Sequence, residues 1–277
     1  MNYKNIDVKV KDLVISNNKS FTLIAGPCVI ESKEHALKTA EEISKICNSL
    51  NLQFIYKSSF DKANRTSLKS SRGPGITESL EIFSAIKEKI GCPVITDIHE
   101  KEQIQIISNV IDVIQIPAFL CRQTDLLVAA AETNLPIMVK KGQFLAPWDM
   151  KNVVDKISSN GQGGVMICER GVSFGYNTLV SDFRSIPILK NLGHPVVFDA
   201  THSVQQPGGL GDKSSGQREF VPTLATAATA IGVASIFMET HEDPDNAPSD
   251  GPNMWPLNKL KGLLELLIKH DKIAKNL

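Results

Sequence analysis

Eight short runs rich in apolar and β-branched residues recur along the chain: Phe21–Ala25, Leu52–Tyr56, Pro93–Asp97, Val113–Ile116, Ile137–Lys140, Gly164–Cys168, Pro195–Asp199 and Ala234–Met238. Between them lie longer segments in which apolar positions recur at helical spacing: Lys33–Leu50, Thr77–Ile90, Lys101–Asn109, Gln123–Asn134, Asp149–Asn160, Phe183–Leu192, Thr223–Ile231 and Leu257–Ala274. A strand covered on both faces reads as an unbroken apolar run, and alternation with helices makes the sheet parallel. Eight such units in about 250 residues predict an α/β fold of the (β/α)8 TIM-barrel type. An open doubly wound sheet is the alternative, but no GxGxxG follows the first run. Apolar and polar residues alternate over Val8–Ile15, which predicts a small hairpin. Residues 1–20 are therefore read as an extension plugging the N-terminal mouth of a single barrel domain, 1–277. Ser203–Gln217 is rich in Gly, Gln, Ser and Pro. It is too long for an ordinary turn and is expected to be a mobile lid over the opposite mouth.

Composition limits the partners. The 277 residues carry 30 Lys plus Arg against 30 Asp plus Glu, so no overall charge attracts nucleic acid or an anionic membrane surface. The 42% hydrophobic and 22% charged residues describe a globular chain. No apolar run approaches the ~20 residues of a membrane span, and the polar start Met1-Asn2-Tyr3-Lys4-Asn5 lacks a signal-peptide core. The five scattered cysteines, Cys28, Cys47, Cys92, Cys121 and Cys168, form no CxxC pair and read as reduced thiols, which places the chain in the cytoplasm.

In a TIM barrel the chemistry sits at the C-terminal strand ends. Those ends supply two sets of residues. Lys57, Lys62, Arg65, Lys140 and Arg170 form a cationic set, with Asn64, Thr66 and Ser67 nearby, suited to phosphate groups. Lys57 and Lys140 directly follow apolar strands, and burial of unpaired cations there calls for an anionic ligand. Cys28, His202, Glu239 and Asp250 form a mixed thiolate, imidazole and carboxylate set that suits a divalent first-row metal. On the residues alone, Cys28 also reads as an inert small core thiol. His99 and His241 read as hydrogen-bonded loop residues, and His35 as a solvated helix position.

Several of these segments resemble the 3-deoxy-D-manno-octulosonate 8-phosphate synthases. The matching stretches are Ala25-Gly26-Pro27-Cys28, the run from Lys57 to Ser67, Arg72-Gly73-Pro74-Gly75, the run from Ile116 to Leu126, Val139 to Phe144, Phe198 to Gly209, and Ser249-Asp250-Gly251-Pro252. The resemblance implies condensation of phosphoenolpyruvate with D-arabinose 5-phosphate, a step toward the lipopolysaccharide sugar Kdo. It implies phosphoenolpyruvate contacts from Lys57, Lys62, Gln115, Ala118, Lys140, Arg170 and His202, and pentose phosphate contacts from Asn64, Arg65 and Thr66. Thr66 stands where that family usually has serine. Lys57, Lys62, His202, Asp97 and Asp250 take the catalytic positions, and Arg122 matches an arginine that reaches a neighbouring subunit's sugar phosphate, which implies a homotetramer. The resemblance divides into metal-dependent forms and forms with asparagine at the position of Cys28. This chain has the cysteine, so Cys28, His202, Glu239 and Asp250 are expected to hold a divalent cation such as Zn, Fe or Mn.

Three rivals stay open. The related synthase that uses erythrose 4-phosphate carries a Lys-Pro-Arg-Thr motif where this chain has Lys62-Ala63-Asn64-Arg65-Thr66. A lysine Schiff base would suit lysines at strand ends. A phosphosugar-binding barrel without catalysis would need none of the metal set.

Overall fold

The computed structural model describes residues 5–64, 72–208 and 215–277. Eight parallel strands close on themselves: β1 (Thr22–Gly26), β2 (Phe54–Lys57), β3 (Val94–Asp97), β4 (Val113–Ile116), β5 (Ile137–Lys140), β6 (Val165–Glu169), β7 (Val196–Asp199) and β8 (Ser235–His241). Each pairs with the next in chain order, and β8 pairs with both β7 and β1, which completes the predicted barrel. The helices between them are α1 (Lys33–Ser49), α2 (Ile76–Ile90), α3 (Lys101–Ile107), α4 (Thr124–Glu132), α5 (Met150–Ser158), α6 (Ser185–Lys190), α7 (Val221–Ile231) and α8 (Leu260–Lys275). Local chemistry sets their ends. Ser32 accepts from the His35 amide at the start of α1, Glu100 and Gln103 form a capping box on α3, and Gly91 takes a left-handed φ of 76° after α2.

Every residue of the eight strands is buried, yet the two faces differ. Successive side chains on a strand point to opposite faces. Leu23, Tyr56, Val94, Ile114, Val139, Ile167, Phe198 and Met238 pack outward against the helices. Ile24, Ile55, Ile95, Val113, Met138, Met166, Val197 and Phe237 fill the barrel interior. Val8, Val10 and Ile15 of the hairpin (Val8–Val10 with Leu13–Ile15) join that interior cluster, so the extension plugs the barrel as expected. Gly26 belongs to the same close packing: a Cβ there would lie 2.0 Å from the Lys57 carbonyl oxygen on the adjoining strand.

The interior alternation positions the site. Two residues beyond the inward apolar side chain, the same face is presented at the C-terminal rim. Ile55 is followed in this way by Lys57, Ile95 by Asp97, Val113 by Gln115, Met138 by Lys140, Cys168 by Arg170, Val197 by Asp199 and Phe237 by Glu239. A polar ring therefore sits directly on an apolar plug. Of the expected lid, residues 209–214 lie outside the described residues. Its flanks form a short antiparallel ribbon, Gln205–Gln206 with Ser215–Gly216. Among the described residues, no helix is long and apolar enough to cross a membrane.

Candidate active site at the C-terminal mouth

The polar ring forms the floor of a cavity of about 800 Å³. Its lining brings together Lys57, Lys62, Lys140 and Arg170 with Asp97, Asp199, Glu239 and Asp250, and adds His99, His202, Gln115, Ala118 and Asn64. Arg65 and Thr66 lie outside the described residues. Arg122, although two residues past the end of a short helical turn on the rim, is exposed and lies outside the cavity lining.

The structure corrects one step of the sequence argument. Lys57 and Lys140 are not unpaired cations awaiting a ligand. Lys57 Nζ donates to Glu239 Oε1 at 2.7 Å and to the Cys28 carbonyl at 3.2 Å, and Lys140 Nζ pairs with Asp199 Oδ2. Both ammonium groups also lie over the buried Phe237 ring, at 5.4 and 3.1 Å from its centroid. Each still has N–H capacity, because an ammonium carries three donors.

Asp199 is the hub of one half of the floor. Its Oδ2 accepts from His202 Nδ1 at 2.8 Å and pairs with Lys140, while Oδ1 accepts from the His202 amide at 2.9 Å and from Thr201. Burial alone would raise this carboxyl, but His202 and Lys140 hold it well below the ordinary carboxylate range. Asp97 is the hub of the other half. It accepts from Ser59 Oγ and from His99 Nε2, and Lys62 Nζ donates to the same Ser59 hydroxyl at 2.9 Å. Burial would again raise its pKa; the His99 hydrogen bond and the Lys62 and Lys57 charges overcome that and depress it. For Lys62, burial would strip the charge, but the carboxylates of Glu239, Asp97 and Asp250 raise its pKa and keep it an ammonium.

The four expected metal ligands converge. The donor atoms of Cys28, Glu239 and Asp250 lie within 4.8 Å of one another. Cys28 Sγ is 3.1 Å from Asp250 Oδ2, and His202 Nε2 is 3.7 Å from Glu239 Oε2 and 3.9 Å from Asp250 Oδ2. Two details make the set fit a cation. Glu239 Oε2 is buried and has no hydrogen-bond partner among the described residues. With its Nδ1 engaged by Asp199, His202 presents Nε2 to the set, the carboxylate–histidine arrangement that orients a metal-binding imidazole. Burial, followed by the Glu239 charge, raises the Cys28 thiol well above its ordinary value, with Lys62 opposing. A bound cation must therefore displace a thiol proton.

A second group, Glu31, His35 and His241, also brings donor atoms within 4.8 Å. It fits a metal poorly. His241 Nδ1 accepts from the Asp243 amide at 2.9 Å, which leaves its proton on Nε2, hydrogen-bonded to Glu31 at 2.8 Å. Neither ring nitrogen then has a free lone pair. His35, expected to be solvated, instead pairs with Glu242 at 2.9 Å and is half-buried.

Two residues that support the site's geometry escaped the sequence reading. Glu169, at the end of β6, faces away from the cavity; its Oε1 accepts from the Arg170 amide at 3.0 Å and the Gly171 amide at 2.7 Å, with the fully buried Lys141 3.5 Å away. This carboxylate sets the backbone that carries Arg170. Gln205, inside the stretch read as a lid, contacts both Arg170 and Asp250. The strand-end position of Glu169 was visible and Gln205 lay in the expected lid, but nothing in residue order shows which backbone or side chain they reach.

The depressed pKa of Glu239 gives an acid-stability prediction. Burial would raise it, but Lys57 first, then His202 and Lys62, lower it from 4.5 to about 2. A depressed folded-state pKa adds stability that is complete above the unfolded value and lost as pH falls toward the folded one. Denaturant midpoints of the metal-free protein should therefore drop between pH 4.5 and 2, and in Glu239→Gln this part of the slope should be shallower. An unchanged slope in the variant would contradict the assignment.

Residues 5–276 match the DAHP synthetase I family. The chain is 60% identical over 273 residues to the 2-dehydro-3-deoxyphosphooctonate aldolase of Brucella anthropi, covering 99% of each chain. It is 58% identical over 275 residues to the protein of that name from Bartonella henselae, and 60% identical over 273 residues to that from Brucella ovis, again over 99% of both chains.

Proposed function

Because the chain belongs to the DAHP synthetase I family, and relatives matched over 99% of their length are named 2-dehydro-3-deoxyphosphooctonate aldolase, we propose that it condenses phosphoenolpyruvate with D-arabinose 5-phosphate and water. The products are 3-deoxy-D-manno-octulosonate 8-phosphate and inorganic phosphate. The observation that carries this reading is the floor of the cavity, where Lys62 and Arg170 flank cations already held by buried carboxylates, beside a thiol, imidazole and carboxylate set.

In the reaction, C3 of phosphoenolpyruvate attacks the aldehyde carbon, and water adds at C2. The resulting hemiketal phosphate loses phosphate by cleavage of its C–O bond. Arg170 and Lys140 bind the phosphoenolpyruvate phosphate. Lys57 and Lys62 bind its carboxylate, and Lys62 polarises the aldehyde. Gln115, Ala118 and His202 complete the phosphoenolpyruvate contacts, while Asn64, Arg65 and Thr66 hold the pentose phosphate. Holding two polyanions in reacting geometry against mutual repulsion is a large part of the catalysis. Asp97 and Asp250 work by orientation: Asp97 keeps Ser59, Lys62 and His99 in place, and Asp250 faces the thiol.

Cys28, His202, Glu239 and Asp250 would hold a divalent cation. When bound, it supplies a Lewis acid able to polarise the aldehyde oxygen or to acidify a water. The lysine Schiff base fits less well, since ammonium groups paired with carboxylates are poor nucleophiles. Arg122, exposed beside the mouth, would serve a neighbouring subunit in a homotetramer, and the five buried free thiols suit the reducing cytoplasm.

Phosphate release from phosphoenolpyruvate tests the assignment. Turnover is expected with arabinose 5-phosphate, at least tenfold less with erythrose 4-phosphate, and is expected to vanish after thorough chelation and return with added Co²⁺ or Zn²⁺. A preference for erythrose 4-phosphate would overturn the substrate, and turnover indifferent to chelation would overturn the metal. Borohydride trapping of a substrate adduct would restore the Schiff base.

A further inference from the structure

Gln205 spans the two functional halves of the cavity. Its Oε1 accepts from Arg170 Nη2 at 3.0 Å, and its Nε2 donates to Asp250 Oδ1 at 3.0 Å. Only one amide orientation satisfies both contacts, because a flipped amide would set N–H against guanidinium and carbonyl against carboxylate. The bridge leaves specific atoms free. Among the described residues, the buried Arg170 Nη1 has no hydrogen-bond partner. Asp250 has Oδ1 occupied by Gln205, so Oδ2 is the oxygen turned to Cys28 at 3.1 Å and toward His202 at 3.9 Å. The same Nη2 also reaches the His202 carbonyl, at a longer 3.4 Å.

We propose that Gln205 is a positioning residue that aims the Arg170 guanidinium at the substrate phosphate and the Asp250 carboxylate at the cation site through one side-chain amide. The inference rests on the assignment of those two subsites above. It requires an amide long enough to span them: leucine or methionine could fill the space without either bond, and asparagine, one methylene shorter, could not hold both. Gln205 also opens the short ribbon with Ser215–Gly216. The rim segment entering the expected lid is thereby tied to both subsites.

The test uses the full chain, wild type and Gln205→Met, with inorganic phosphate binding measured calorimetrically and Co²⁺ binding measured by equilibrium dialysis on metal-stripped protein. Thermal unfolding is recorded alongside. In the variant, phosphate affinity should fall about tenfold, the worth of one charge-assisted hydrogen bond. Co²⁺ affinity should fall ten- to roughly a hundredfold, as when an outer partner of a metal ligand is removed. Gln205→Ala, which can make neither bond, should show the same double loss and serves if the methionine variant does not fold. Unchanged affinities, or loss of one without the other, overturn the double role. Wild-type protein that binds neither probe overturns the reading of the subsites themselves, and this inference with it.

Discussion

Asp199→Ala is expected to destabilise the protein by about 3–5 kcal/mol, the range for removing one partner of a buried ion pair. Asp199 is fully buried and serves Lys140, His202 and Thr201 together. Without it, Lys140 becomes a buried ammonium with no counter-charge, and His202 loses the acceptor that fixes its ring. Urea denaturation with a two-state fit measures the loss directly. Asp199→Asn, which preserves shape and an acceptor oxygen but not the charge, should lie between wild type and alanine. A change below about 1 kcal/mol for alanine would mean that the pair does not stabilise the floor. The activity consequence runs through the same contacts: kcat/KM should fall in both variants, and added Co²⁺ should fail to restore it, because the imidazole is no longer oriented.

Lys62→Met is expected to give the largest purely functional effect, a loss of roughly 10²–10³ in kcat/KM, the range for removing one preorganised electrostatic group. Lys62 lines the cavity, is held through Ser59, and is kept charged by the carboxylates of Glu239, Asp97 and Asp250. Unlike Asp199, it is only half-buried, and Asp97 and Glu239 keep His99, Lys57 and His202 beside them, so its replacement should cost clearly less stability than Asp199→Ala. Steady-state kinetics with both substrates, together with a melting curve, checks the two halves of the expectation. A fall in activity of less than tenfold would remove Lys62 from the reacting centre. Arginine is not expected to rescue it, since a broad planar fork does not replace a compact ammonium.

The contrast between these variants shows what residue order conveys. The barrel was legible because each strand is short, apolar and bounded by helical periodicity, and the observed strands begin and end within three residues of the expected runs. Helix ends were less legible: the segment expected over Leu257–Ala274 begins its α-helix only at Leu260, after a 3-10 turn. The cationic rim was legible because strand alternation alone places Lys57 above Ile55 and Lys140 above Met138. The neutralisation of those lysines was not. Lys57 meets Glu239 across 182 positions of sequence, and Lys140 meets Asp199 across 59.

The sequence by itself determined a closed parallel barrel and which residue types stand on its C-terminal rim, because a period of two and a plugged apolar interior admit only one face for them. Only the tertiary structure decided how the rim charges are partitioned. Closure sets β8 beside both β7 and β1, and this brings Glu239 to Lys57 and to the thiol of Cys28, while Asp199 takes Lys140 and His202. Pairings of that kind follow from distance in space, which strand alternation does not encode.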